Sequence, residues 1–252
     1  MTRFLTILAA LLLAAPVARG DASAWWAESA YATVASSSVT GLVARWTFLT
    51  DALDSSGYGF HATFTNGAAV TGGSLLLDGT NDYVFAGDVD ALTPTSGITL
   101  SCWYNLRTLP GNGVFFQLIA KEGSATDRSY YLALSDTSGT KFLIMLSSTN
   151  GSAFLDSRHN ISTTTGAWHH VAFIGSPTNF VMMHDGVEVA RTAGTPPYFD
   201  SRLYNNAAPV QIGSRRTTAI DFFPGRVGDA RIYNYAKTTN GVVDIINEGS
   251  PP

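Results

Sequence analysis

The segment from Trp168 to Arg191 constrains the fold more than any other stretch. It reads WHHVAFIG, then SPTN, then FVMMHDGVEVAR. Asp185-Gly186 lies between two apolar runs, and Asp-Gly is favoured in two-residue hairpin turns whose central residues need positive φ. Such a turn sets His184 opposite Val187, Met183 opposite Glu188, and Met182 opposite Val189. One face then carries Phe180, Met182, His184, Val187 and Val189, and Met183 belongs to the other. A slip of one residue exchanges the two faces, so this hairpin fixes the register of its neighbours.

The rest of the chain repeats the pattern of short apolar runs broken by turn chemistry. LVARWTF (Leu42 to Phe48), the two runs around Asp78-Gly79-Thr80-Asn81, FFQLIAKEG, SYYLALSD, KFLIMLSS, PVQIGSR and RVGDARIYNY are each bounded by Gly, Ser, Asn or Asp. In ITLSCWYNL the alternation is complete: Ile98, Leu100, Cys102, Tyr104 and Leu106 point one way, and Thr99, Ser101, Trp103 and Asn105 the other. Only Val242 to Glu248 reads as a helix. Regular short strands without intervening helices predict an all-β, antiparallel two-sheet sandwich, and 252 residues suit one such domain. Cys102 is the only cysteine, so an internal disulfide is excluded; in mid-strand it reads as a small buried apolar residue.

The ends of the chain are of different material. Arg3 followed by the apolar run Phe4 to Leu13 and then small residues has the pattern of a secretory signal peptide over residues 1–20, with cleavage as late as Ala24. That run is too short for a stable membrane span. Export to an extracellular location is expected. Residues 21–40 are Ala/Ser-rich with an isolated Trp25-Trp26 pair, the composition of a linker or of an arm for self-association, ahead of a domain over 41–252. With 15 basic and 19 acidic residues and Arg215-Arg216 as the sole basic doublet, nothing suits a nucleic-acid partner.

Most enzyme chemistries find no matching residues. There is no Gly-x-Ser-x-Gly elbow, phosphate-binding glycine loop or His-Glu-x-x-His. A retaining glycosidase needs two carboxylates about 5 Å apart, whereas Glu28, Glu122, Glu188 and Glu248 are scattered. His169 and His170 are adjacent on a strand and point to opposite faces, so they cannot hold one metal together. His170 is expected to be a hydrogen-bonded core histidine. The segment Pro197 to Asn206 is the best candidate for a ligand surface, with Tyr198, Phe199, Arg202, Tyr204 and Asn205 supplying aromatic planes and fixed polar groups. Asp127-Arg128 and Arg215-Arg216 are its expected neighbours at one end of the sandwich.

LVARWTF, DSSGYGFHAT, LLLDGTNDYV, ITLSCWYNL, WHHVAFIG, MMHDGVEVA, VQIGS and GRVGDARIYNYA follow one another in an order that resembles the laminin-G-like branch of the concanavalin A-like lectin/glucanase superfamily, from about Gly41 to Glu248. The resemblance implies a jelly roll of two curved antiparallel sheets and an exported module that binds glycans or proteins at a cell or particle surface. It leaves two other readings open, a structural subunit of an extracellular or virion assembly and a glycoside hydrolase. It also implies a structural calcium, held by Asp54, by carbonyls near Gly57 and Gly59, and by an acid in the last strand. Here that strand reads Gly228-Asp229, which puts Asp229 on the opposite face unless a bulge re-aims it. Without calcium, Asp54 reads as the closure of an Asx-type turn.

Overall fold

The computed structural model describes residues 41–177, 179–193 and 203–249. The predicted signal peptide and the arm over 21–40 lie outside them. The first strands are β1 (Leu42–Trp46), β2 (Thr63–Thr65), β3 (Ala69–Thr71), β4 (Ser74–Asp78), β5 (Tyr83–Ala86) and β6 (Ile98–Leu106). Next come β7 (Phe115–Ser124), β8 (Asp127–Thr137), β9 (Thr140–Gly151), β10 (Phe154–Asn160), β11 (Trp168–Gly175), β12 (Asn179–His184) and β13 (Val187–Ala193). The chain then forms β14 (Val210–Ile212), β15 (Pro224–Tyr233) and the helix α1 (Thr239–Glu248). One sheet runs β13-β12-β11-β6-β15-β4-β3, with β1 paired to β15 as its eighth strand; the other runs β10-β9-β8-β7-β14-β5-β2. Named strand pairs are antiparallel throughout. The two-sheet sandwich is as the sequence predicts.

The Asp185-Gly186 turn forms with φ of 49° and 78°, both positive as the two-residue turn demands. His184 pairs with Val187 and Met183 with Glu188. A register shift then sets Met182 against Ala190 instead of Val189. The inserted residue is a β-bulge, which strong twist favours and which a count of alternation does not detect. Phe180, Met182 and His184 are buried as expected, whereas Val187, beside the turn, is exposed.

Between the sheets the filling is continuous. Ile98, Leu100, Cys102, Tyr104 and Leu106 of β6 meet Tyr130, Leu132 and Leu134 of β8 and Leu143 and Met145 of β9, all within 1% of complete burial. Burying each large side chain contributes about 1.5–3 kcal/mol, which is why a sandwich this size holds without a disulfide. Cys102 is a free thiol in that filling, and burial pushes its pKa far up, so it is inert. Helix α1 starts at Thr238, whose hydroxyl accepts from Gly241 N at 3.0 Å. Its Val242 packs with Ala172, Ile174, Val181 and Met183 on the outer side of β11 and β12.

Strand β15 changes neighbours half-way. Pro224–Val227 pairs with β4, and Ala230–Tyr233 pairs with β1. At the hand-over a register shift against β6 falls between Gly228 and Arg231, and Asp229 adopts φ of 42°. The bulge does re-aim Asp229. Its carboxylate takes Arg45 Nε at 2.7 Å and Arg231 Nη2 at 2.6 Å.

Candidate functional site

The outward face of the seven-stranded sheet is where aromatic and charged groups gather. Directly paired residues share a face, so one row can be read straight across six strands: Phe85, Gln211, Ala120, Tyr131, Leu146 and Asp156. The next row is Gln117, Ala133, Ile144 and Arg158, and the one after it Phe115, Ser135, Phe142 and Asn160. The floor is apolar: Ala120, Tyr131, Ala133, Ile144 and Leu146, with the half-buried Phe115 and Phe142 against them. Buried among these are the side-chain oxygens of Gln117, Ser135 and Gln211 and the Oδ1 of Asp156, none with a hydrogen-bond partner among the described residues. Polar groups left unsatisfied in a buried position are costly, so a face that keeps several of them is suited to a polar ligand.

Guanidinium groups rim the floor. Arg158 lies 5.5 Å from the Phe115 ring and hydrogen-bonds Asp156 at 2.8 Å, while Arg215 sits 5.4 Å from Tyr131 and 5.8 Å from Phe115. Arg128 stacks 4.3 Å over Phe154, a contact that gains from the negative face of the ring. Glu122, 1% exposed, collects Arg215 Nη1 at 3.0 Å, Arg216 Nε at 2.9 Å and Arg128 Nε at 3.5 Å. Arg215 is shared with Asp221 at 2.5 Å. Burying a single carboxylate requires such pairing.

The predicted neighbours, Arg128 and Arg215-Arg216, therefore do meet, around a glutamate that sequence reading set aside as scattered. Of the predicted ligand loop, Tyr198, Phe199 and Arg202 lie outside the described residues. Tyr204 is half-buried, its backbone N–H donating to Ser148 O at 2.7 Å and its ring beside Gly151, the residue paired with Arg128. Asn205 is turned away and donates to Asp90 at 2.7 Å. Asn206 holds the loop to Asp127 O at 2.8 Å. The sequence reading missed β10 altogether, and β10 carries Phe154, Asp156 and Arg158. FLDSRHN has too few apolar residues to signal a strand, because its outward side is rim and only Leu155 packs on the core.

The calcium ligand set does not fit. Asp54 Oδ1 accepts from the N–H groups of Arg45 (2.9 Å) and Ser56 (2.8 Å), and Oδ2 from Ser56 Oγ (2.8 Å) and Phe60 N (3.0 Å). A cation needs oxygens that face it, and here donors face both. Asp54 closes the Asx-type turn, with Gly57 and Gly59 at φ of 97° and 79° carrying the chain round it. Asp229 is committed to two arginines. Melting curves with and without added calcium are expected to coincide; a calcium-dependent rise in Tm would restore the ion.

His170 also departs from expectation. It is fully buried, 5.2 Å from Trp103 in edge contact, but neither ring nitrogen has a partner among the described residues. Burial pushes its pKa down to about 3. The opposite face of β11 holds a different group. His169 Nδ1 is 2.8 Å and His184 Nδ1 3.6 Å from Asp185 Oδ2. Burial lowers the pKa of His184, while Asp185 is held below the usual carboxylate range because the hydrogen bonds from His169 and the His170 N–H outweigh its partial burial. An open cleft of about 400 Å3 lies nearby, lined by Leu76, Asn105, Arg107, Thr165 and Arg226, with both guanidiniums tied to backbone carbonyls. Among the described residues no helix is long and apolar enough to cross a membrane.

No curated protein matches the chain in sequence. Among solved structures it is similar to domain 4 of AbnA, a GH43 extracellular arabinanase from Geobacillus stearothermophilus, in complex with arabinotriose. That likeness has a TM-score of 0.64 and 22% identity, and covers 82% of this chain and 98% of that one. It is also similar to the binding domain of Paraclostridial Mosquitocidal Protein 1 (TM-score 0.64, 13% identity, 82% of this chain, 52% of that one). The binding domain of botulinum neurotoxin DC in complex with SialylT is a third (TM-score 0.60, 12% identity, 78% and 48%). The chain thus spans about half the length of the two toxin domains. At these identities the likeness speaks for the fold, two antiparallel sheets closed over one filling. The family model Laminin_G_3 matches residues 78–242, and the chain accordingly belongs to that family of the concanavalin A-like lectin/glucanases superfamily.

Proposed function

We propose that the chain is an exported, non-catalytic module that recognises glycans, with a preference for acidic ones, on the outward face of its seven-stranded sheet. The observation that carries this reading is the joint placement of aromatic rings and guanidinium groups over one floor: Phe115, Phe142 and Tyr131 beside Arg158, Arg215, Arg216 and Arg128. Sugar recognition asks for an apolar plane against the ring and a few fixed polar groups, and a planar guanidinium adds bidentate recognition of a carboxylate. The arabinotriose and SialylT complexes of the similar domains support the reading. Glycosidase chemistry has less support. A general acid needs a carboxyl held above its ordinary range, whereas Arg191 lowers Glu188 and Arg231 lowers Glu248.

A glycan array probed with the full chain tests the proposal. The expected result is a restricted set of bound glycans, enriched in carboxylated sugars, with binding weakened roughly tenfold by Arg158→Ala, about the 1.4 kcal/mol of one lost charge-assisted contact. Absence of glycan binding, or binding indifferent to both Arg158→Ala and Arg216→Ala, would overturn it.

A further inference from the structure

We infer that His169, His184 and Asp185 form a binding site for one divalent transition-metal ion of the zinc class, at the end of the β12–β13 hairpin. The three side chains come from two strands and the turn that joins β12 to β13. Their ligating atoms all lie within 4.8 Å of one another. In a tetrahedral site with metal–nitrogen and metal–oxygen distances near 2.0–2.2 Å, ligands stand about 3.3 Å apart. The separations here, 2.8 Å and 3.6 Å from Asp185 Oδ2 to the two Nδ1 atoms, bracket that value. Two imidazoles and one carboxylate, with a fourth position left to water, make a donor set that suits zinc and its neighbours better than calcium or magnesium.

The surroundings orient each ligand. Tyr104, fully buried, donates its hydroxyl proton to Thr163 Oγ1 at 2.9 Å, and so receives the proton of His184 Nε2 at 2.9 Å. That fixes the tautomer assigned to His184: Nδ1 carries a lone pair aimed at a carboxylate oxygen beyond hydrogen-bonding distance. Two electron-rich atoms facing each other, on a histidine only 7% exposed, are what a cation would reconcile. Asp185 Oδ1 is engaged by His170 N at 2.7 Å, which leaves Oδ2 to face the histidines. His169 Nε2 lies 3.2 Å from Thr164 Oγ1 and 3.3 Å from Thr164 N. Thr164 N donates to Nε2, so the His169 proton sits on Nδ1 toward Asp185. A metal at Nδ1 requires the ring to take its other neutral tautomer, one proton lost from Nδ1 and one gained at Nε2 through solvent, with Nε2–H then donating to the threonine hydroxyl. Outer hydrogen bonds of this kind hold histidine ligands in place. The rings of His169 and His184 already lie 5.3 Å apart at 22°, so little side-chain ordering remains to be done.

Isothermal titration of the tag-free full chain with Zn2+ alone, after metal removal, tests the site. One ion per chain is expected, lost in His169→Ala and His184→Ala and unchanged in His159→Ala on the other sheet. Because His184→Ala opens a gap beside Tyr104 and can impair folding, Asp185→Asn is the decisive variant. Asn-Gly keeps the two-residue turn, and loss of the carboxylate is expected to weaken binding by roughly tenfold or more. Co2+ in place of Zn2+ is expected to give the strong visible absorption of a four-coordinate ion. No stoichiometric binding to the wild-type chain, or wild-type affinity retained by both Asp185→Asn and His184→Ala, would overturn the assignment.

Discussion

Acidification from pH 7 to pH 4 is expected to destabilise the protein steeply, and His170→Leu to remove a large part of that loss. His170 is fully buried, neither ring nitrogen has a partner among the described residues, and burial pushes its pKa from the ordinary 6.5 down to about 3. Unfolded chains take up a proton on this ring near pH 6.5; the folded chain does not until about pH 3. In that window the unfolded state binds more protons, so stability rises with pH. The contribution is present in full above pH 6.5 and lost progressively as pH falls toward 3. At about 1.4 kcal/mol per pKa unit it amounts to roughly 4–5 kcal/mol across the whole interval. Asp229, Asp185, Arg231 and His184 are the ionisable neighbours acting on the ring. Leucine in the same volume carries no proton and leaves no polar atom unsatisfied. Urea unfolding of both proteins at pH 7 and pH 4.5 checks this: the variant's advantage should widen as pH drops, and two parallel pH profiles would refute the assignment to His170.

Asp229→Ala is expected to cost about 3–5 kcal/mol at neutral pH, the range for an uncompensated buried charge. Arg231 is 1% exposed. Its guanidinium donates to Asp229 Oδ2 at 2.6 and 3.1 Å, to Glu248 at 2.8 Å and to Tyr233 OH at 3.2 Å. Without Asp229 only Glu248, which is mostly solvent-exposed, balances the charge. Alanine is also disfavoured at φ of 42°, which Asn tolerates, so Asp229→Asn separates the charge from the backbone. The double variant Asp229→Ala/Arg231→Leu should recover much of the loss, since no charge is then left stranded. Denaturant midpoints of the three variants decide it; a double variant no more stable than Asp229→Ala would show that the bulge itself, rather than the ion pair, carries the stability.

The strands were legible because their chemistry is local. Ile98 to Leu106 alternates, Asp185-Gly186 can adopt positive φ, and Val242 to Glu248 reads as helical, each within ten residues; the first turn from Thr239 and its Thr238 cap fell outside that reading. The bulges at Met182 and Asp229 were not, because an inserted residue preserves the run of apolar letters while shifting the pairing. Strand β10 escaped for a related reason: Asp156 and Arg158 face a rim, so hydrophobic alternation is absent where the strand meets the candidate site. His170 was correctly placed in a core, but its lack of partners depends on what Trp103 and β15 bring beside it.

What the residue order settled alone was the class of architecture, the antiparallel pairing and, in Ile98 to Leu106 and Phe180 to His184, the side that meets the filling, since period-two burial and turn stereochemistry act between near neighbours. Which charges meet was decided only in three dimensions. Glu122 lies 93 residues before Arg215, and His169 lies 15 before His184 on another strand. Sheet register brings these groups together, and register follows from bulges and long-range packing that no single segment encodes.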